Sequence, residues 1–192
     1  IGLPAGIQGC LFSLSNVLIQ SSINSFGPQV MTANTIAAQL DGFIFTSMNA
    51  ISLAAMAFVS QNYGANNYER IKKTILCALC VTTVVGILVG GFIILISPIF
   101  FGIVADEQAV IDIAYKRILI IASTYFTCGI MDAMSYILRG LGKSTLAMVL
   151  TLVGTCLFRI IWINTVFRLF PDVYTLYYVY PASYLLSITM FT

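Results

Sequence analysis

The chain has 192 residues, of which only 8% are charged and 59% are hydrophobic, whereas soluble globular proteins contain roughly 25% charged residues. The net charge of +2 gives no support to a nucleic-acid partner. The absence of histidine removes the commonest general base and the commonest ligand of catalytic metals. Uncharged stretches cover 1–40, 42–68 and 74–105, and apolar runs of 18 or more residues are typical of membrane-spanning helices. The composition therefore predicts an all-α integral membrane protein.

Turn residues and charges divide the chain into six predicted transmembrane helices, which form a single membrane bundle. The predicted spans are, approximately, 3–25, 33–59, 74–98, 113–138, 145–168 and 176–192. The breaks are predicted at 25–29, at 62–67, in a longer connection that Pro98 and Gly102 open, at 139–144 and at 170–172. The chain opens and closes inside apolar runs, and we interpret it as a piece of a longer polypeptide.

The distribution of Lys and Arg predicts the orientation of the bundle. The second and fourth connections contain five basic residues: Arg70, Lys72, Lys73, Arg139 and Lys143. The other three connections contain Lys116, Arg117 and Arg168 together with four acidic residues. Because cytoplasmic loops carry an excess of Lys and Arg, the second and fourth connections are predicted to be cytoplasmic. With six spans, both ends of this chain are then cytoplasmic as well.

Three ionisable residues lie deep inside the predicted spans, away from their ends: Asp41, Asp132 and Arg159. Each costs roughly 2.5–3.5 kcal/mol at a helix centre, so such residues usually serve pairing, ion pathways or proton relays. Asp41 and Arg159 both lie about 12 Å from the predicted outer ends of their spans. We therefore expect these two to pair, either as a structural salt bridge or as part of a substrate or ion pathway.

No basic residue within this chain matches the predicted membrane depth of Asp132. At 100° per residue, its helix face also carries Tyr125, Cys128, Ser135, Tyr136 and Arg139. Such a stripe of hydroxyl groups and a carboxylate is typical of a water-accessible path. Desolvation disfavours a bare carboxylate, which makes Asp132 a candidate for reversible protonation or cation binding. A hydrogen-bonded helix contact is the alternative interpretation.

The first predicted helix is unusually polar for a membrane span. Asn16, Gln20 and Asn24 recur every four residues and so share one face. Their amides could coordinate cations or substrate in an interior cavity, or they could hold neighbouring helices together. The sequence alone does not separate these two interpretations.

Catalytic motifs are not convincing in this chain. The segment 140–144 ends in Gly-Lys-Ser, but a phosphate-binding loop requires glycine where Ile137 stands. Cys77 and Cys80 have redox or metal spacing, yet they lack the further ligands of a zinc site and are interpreted as small apolar packing residues. We expect neither an enzyme nor a bound metal or other cofactor.

Two loop segments and the opening helix carry a resemblance to a known family. The segment 59–72, VSQNYGANNYERIK, resembles the loop after the second helix of each half of MATE (multidrug and toxic compound extrusion) transporters. The segment 138–144, LRGLGKS, resembles the family's Arg-Gly-x-Gly loop after the fourth helix, and the segment 2–8, GLPAGIQ, resembles its opening helix. Together with the six spans, these matches extend over essentially the whole chain.

The resemblance implies one half, the C-terminal one, of a twelve-helix transporter with two bundles around a central cavity. The family exports cationic or amphipathic small molecules in exchange for sodium ions or protons, and in some members an acidic residue in the helix that contains Asp132 is implicated in coupling. The implied partners are a small-molecule substrate, the lipid bilayer and the missing N-terminal half, and the implied location is the plasma (inner) membrane. The alternatives are a lipid-linked oligosaccharide flippase of the same superfamily and a non-transporting membrane scaffold. A flippase would need more basic residues than Arg159 in its cavity.

Overall fold

The computed structural model describes residues 2–192, and the part of the chain that it describes is built from helices. The helices are α1 (Gly2–Asn24), α2 (Pro28–Gly64), α3 (Tyr68–Val104), α4 (Gln108–Ser123), α5 (Tyr125–Gly140), α6 (Ser144–Thr151), α7 (Phe158–Asn164), α8 (Val166–Leu169) and α9 (Val173–Phe191). A π-helical turn, Leu152–Leu157, joins α6 to α7 without a break.

Four helical segments in residues 2–192 are long and apolar enough to cross a membrane: Gly2–Asn24, Pro28–Gly64, Tyr68–Val104 and Ser144–Leu169. The pair α4 and α5, bent by 47° at the break between them, qualifies as a fifth span only when the two are taken together, because each has just 16 residues. The sixth predicted span corresponds to α9, which is not among these segments. Five tyrosines within its 19 residues lower its hydropathy, and tyrosine favours the membrane interface over the hydrocarbon core.

The predicted third connection is wrong in length, because α3 continues through Pro98 to Val104 and leaves only 105–107 between α3 and α4. Proline lacks the N–H that would bond to the carbonyl four residues earlier, which here is the carbonyl of Ile94. The Ser97 hydroxyl donates to that carbonyl at 3.0 Å. The helix therefore keeps this acceptor satisfied and does not end at the proline.

The predicted fourth span is broken at Thr124, where α4 ends and α5 begins. The Thr124 hydroxyl donates to the carbonyls of Ile120 and Ile121 at 3.0 and 3.1 Å, and Ser123 donates to Ile120 at 3.2 Å. Hydroxyls that bond back to the preceding turn compete with backbone hydrogen bonds and bend helices. The bend directs α5 along the interior of the bundle.

Two of the other connections are short turns that contain a glycine with a positive φ angle. Gly27 has φ 99° immediately before Pro28, which occupies the first turn of α2, and Gly142 has φ 80° between α5 and α6. Glycine adopts positive φ at little cost, and proline is tolerated in a first helical turn. These turns bring consecutive helices back across the bundle.

The interior has two main clusters. α2 packs against α3, α4 and α5, and their buried side chains form the larger cluster around Ile44, Met48 and Ile118. α1 and α9 form a second cluster around Ile19, Leu176 and Tyr177. Between these two clusters, α1, α2, α5 and α9 leave a cleft whose lining is partly polar.

Candidate functional site: a polar cleft around Asp132

The cleft consists of two adjoining cavities of about 270 and 210 Å³. Both are lined by Phe12 of α1, Phe45 of α2, and Met131 and Asp132 of α5. Since these four side chains belong to both cavities, Asp132 lies at the junction of one continuous depression.

The face of α5 that the sequence predicted to be polar lies along this cleft. Tyr125 and Cys128 line the larger cavity, and Ser135, Tyr136 and Arg139 line the smaller one. The helical period alone places these side chains in a row. Asp132 is therefore the acidic centre of a stripe that reaches from the bend at Thr124 to the end of α5.

The Asp132 carboxylate is partly accessible, and no side chain or backbone group within residues 2–192 forms a hydrogen bond or an ion pair with it. A carboxylate in a largely apolar surrounding is costly unless a proton, a cation or hydrogen-bond donors compensate it. The cleft thus holds an acidic group without a direct partner among the described side chains, although Arg139 and Arg159 line the same cavities. This arrangement suits a site for a transient cation.

Arg159 lines the same cavity, but the predicted pair with Asp41 is wrong. The guanidinium donates to Asn16 Oδ1 at 2.8 Å and to Ser183 Oγ at 3.4 Å. It also lies 4.8–5.7 Å from the ring centres of three aromatic residues, Phe12, Tyr180 and Tyr184. The residue is only 1% exposed, and its Nη2 lacks an acceptor within the described chain. Arg159 is held by amide, hydroxyl and π contacts, with no carboxylate within 4 Å among residues 2–192.

Asp41 instead pairs with Arg117, whose Nη1 lies 2.7 Å from Asp41 Oδ2. Membrane depth suggested Arg159 as the partner of Asp41, because Arg117 was predicted to lie in a connection between helices. In the structure α4 already begins at Gln108, so Arg117 lies nine residues inside a helix and is 5% exposed. The guanidinium also lies 5.9 Å from the Tyr177 ring. Asp41 is therefore part of a buried contact between α2 and α4 and is not among the residues that line the cleft.

The polar row of α1 divides into two parts. Asn16 lines the cleft and accepts from Arg159. Gln20 does not line it: its amide donates to Asn24 at 2.9 Å, and its carbonyl oxygen accepts from Asn34 of α2 at 2.7 Å. The row therefore serves both alternatives, with Asn16 in the cleft and Gln20 in a contact between α1 and α2, whereas the Asn24 side chain bonds within α1.

Near the loop end of the cleft, two amide side chains outside the predicted set, Gln8 and Asn49, contribute to the lining. Arg139 donates to Gln8 Oε1 of α1 at 2.6 Å, and its guanidinium lies 4.9 Å from the Tyr136 ring. The Tyr136 hydroxyl donates to Asn49 Oδ1 of α2 at 3.4 Å. Gln8 and Asn49 were detectable only as amides in apolar runs. The role of Arg117, which lies outside the cleft, was also missed, because it depends on the true start of α4.

The exposed cysteines differ from the interpretation given to them. Cys77 and Cys80 are both exposed on α3, so they do not pack in the interior of the described bundle. Cys77 instead lines a surface groove between α2 and α3.

A family model described as MatE matches residues 4–164. Over 145 residues the chain is 27% identical to "Probable multidrug resistance protein YoeA" of Bacillus subtilis (strain 168). The aligned region covers 74% of this chain and 31% of that protein. Over 154 residues it is 22% identical to "Probable multidrug resistance protein NorM" of Thermotoga maritima, which covers 80% of this chain and 33% of that protein. The chain thus spans about a third of the length of these curated relatives.

Solved structures share the fold over nearly the whole chain. A MOP superfamily transporter from Pyrococcus furiosus superposes with a TM-score of 0.87 at 16% identity, covering 98% of this chain and 42% of that one. The Vibrio cholerae MATE transporter VcmN in its bent form gives 0.86 at 16% identity, covering 97% and 43%. The matched family model extends over most of the sequence, and the fold agrees with it. This membrane-helical chain belongs to the MatE family of transporters.

Proposed function

We propose that the chain is the C-terminal half of a multidrug exporter that moves cationic or amphipathic small molecules in exchange for sodium ions or protons. The observation that carries the proposal is the carboxylate of Asp132, which has no partner among residues 2–192 and lies at the junction of two cavities in a membrane bundle. The names of the curated relatives support the direction of transport, since both are called multidrug resistance proteins.

Asp132 is proposed to bind the coupling ion. Exchange requires an ion whose affinity differs between the two access states of the transporter. A carboxylate without a direct ion-pair partner meets this requirement, because it binds Na⁺ or H⁺ when the cleft closes around it and releases the ion when water enters. The neighbouring hydroxyls of Ser135 and Tyr136 line the same cavity and supply oxygen ligands for a hard cation.

The cleft walls suit an amphipathic organic cation. Phe45 and Tyr125 present aromatic surface to the larger cavity, beside the rings of Phe12 and Tyr180 that Arg159 already contacts, and free aromatic faces attract cations by about 0.5–2 kcal/mol. The substrate and the coupling ion would then compete for the Asp132 carboxylate. Such competition links the export of one to the entry of the other.

The second wall of the cavity is proposed to come from the N-terminal six-helix half of the same polypeptide. We also propose a plasma-membrane location with both ends of this chain in the cytoplasm. The excess of basic residues supports the orientation, because the connections predicted to be cytoplasmic contain five against three in the others. No cofactor other than the coupling ion is required.

The full-length transporter in proteoliposomes tests the proposal, with ethidium as the cationic probe and an imposed sodium or proton gradient. We expect Asp132→Asn to lower gradient-driven ethidium transport at least tenfold. Asp112→Asn is the matched control, because Asp112 is exposed near the start of α4 and hydrogen-bonds only with the neighbouring Gln108. Transport by Asp132→Asn at the wild-type rate under both gradients would contradict the assignment.

A further inference from the structure

A surface groove of about 500 Å³ runs between α2 and α3. Its walls are mostly apolar and include Ile51, Ala54 and Phe58 of α2 and Val81 of α3. Two basic residues, Arg70 and Lys73, lie at the end of the groove nearest the connection between these helices. The groove therefore has one cationic end and one apolar end.

The dimensions of the groove match one leaflet of a bilayer. From Arg70 to Val81, α3 advances 11 residues, or about 16 Å at 1.5 Å per residue. Half of a hydrocarbon core of about 30 Å is about 15 Å. The basic end thus lies at headgroup depth when the apolar end reaches the bilayer midplane.

The groove faces away from the polar cleft. At 100° per residue, Ala54 and Phe58 lie about 140° and 180° around α2 from Asn49, which lines the cleft. Phe58 is 59% exposed on this far side. A second half that closes the cleft would therefore leave this face of α2 open to lipid.

We propose that this groove binds one anionic glycerophospholipid of the bilayer, with the phosphate at Arg70 and Lys73 and an acyl chain along Ile51, Ala54 and Val81. Arg forms bidentate hydrogen bonds with phosphate, and Lys adds a second positive charge. Basic pockets between transmembrane helices are typical sites for anionic lipid headgroups. Glu69 is next in the chain to Arg70 but does not line the groove, so it does not oppose the phosphate there.

Native mass spectrometry of the full-length transporter tests this site with phosphatidylglycerol as the probe and phosphatidylcholine as the zwitterionic comparison. The variant Arg70→Gln/Lys73→Gln is expected to bind phosphatidylglycerol about thirty-fold more weakly, since each basic residue near an anionic lipid contributes roughly fivefold. The matched control is Lys72→Gln/Lys143→Gln, which removes two exposed charges that do not line the groove. It is expected to change the affinity by less than about fivefold.

A second variant tests the apolar end without changing the charge. Ala54→Trp fills the groove and is expected to release the bound lipid, whereas Leu88→Trp, at an exposed position of α3 outside the groove, is expected to retain it. Equal affinity for the two lipids, equal loss in both charge variants, or full lipid binding by Ala54→Trp would each overturn the proposal. Displacement of the lipid by soluble glycerol 3-phosphate would also overturn it, because the site would then bind free phosphate esters.

Discussion

The buried ion pair between Asp41 and Arg117 predicts a large and specific effect on stability. The two side chains are 14% and 6% exposed and approach to 2.7 Å. Replacing Arg117 with methionine would leave the Asp41 carboxylate buried without its cation. Breaking one partner of such a pair costs about 3–5 kcal/mol, and a lone charge at a helix centre in the membrane costs roughly 2.5–3.5 kcal/mol. We therefore expect Arg117→Met to lower the free energy of unfolding by about 3 kcal/mol.

The double variant gives the coupling energy of the pair. Asp41→Asn alone leaves Arg117 uncompensated and is expected to cost a similar amount. Asp41→Asn/Arg117→Met removes both charges, so its cost should fall below the sum of the single variants by about 2 kcal/mol or more. Asp41→Asn combined with Arg159→Met should be additive, because Asp41 and Arg159 are not in contact.

The assay is denaturant unfolding of the full-length transporter in mixed micelles, followed by far-UV circular dichroism. Lys116→Met is the matched control, because Lys116 adjoins Arg117 but is exposed and lies 5.4 Å from the Tyr174 ring. Its cost should stay below about 1 kcal/mol. Additive costs for Asp41→Asn and Arg117→Met, or a cost for Arg117→Met no larger than that of the control, would refute the reasoning.

Two further predictions concern packing and the cleft. A methyl group on Gly90 would lie 2.7 Å from the Ala122 carbonyl oxygen, whereas one on Gly91 meets nothing within 4 Å. In the same unfolding assay, Gly90→Ala should therefore cost about 1–3 kcal/mol and Gly91→Ala should be neutral or stabilising by up to about 1 kcal/mol; equal effects would contradict this contact between α3 and α4. Arg159→Met removes a buried charge that lacks a counter-carboxylate, but it also leaves Asn16 without its hydrogen-bond donor. Because these two effects offset each other, the free energy of unfolding should change by less than about 1 kcal/mol. The KM for ethidium should change, because Arg159 lines the cleft. A loss of several kcal/mol would show that Arg159 has a strong partner.

The apolar segments and most turns of the bundle were predictable from the sequence. The turns at Gly27 and Gly142 follow from residues that tolerate positive φ, and the apolar runs between them are long enough for spans. Pro98 was misleading because Ser97 satisfies the carbonyl that the proline leaves free. A serine directly before a proline was the available signal, but its partner depends on the rotamer that the folded helix allows.

The polar residues were harder to assign, because their roles depend on neighbours that are distant in the sequence. The face of α5 followed from helical period alone, so Asp132 and Tyr136 could be placed on one side of the helix. The pairing of Asp41 could not be derived in this way, since Arg117 is a plausible loop residue until α4 is known to begin at Gln108. Gln20 shares a helix face with Asn16, yet its carbonyl oxygen accepts a hydrogen bond from Asn34 of α2. The helical period of α1 does not reveal this neighbour.

Thiol labelling at Tyr136 tests most directly whether the cleft around Asp132 is an aqueous pathway. In a cysteine-free full-length transporter, Tyr136→Cys should react with a membrane-impermeant charged thiol reagent, and prior addition of ethidium should slow the reaction. Leu88→Cys, on the exposed apolar face of α3, should remain unlabelled. A Tyr136→Cys variant that is as unreactive as Leu88→Cys would contradict a water-filled cleft and, with it, a transport path beside Asp132.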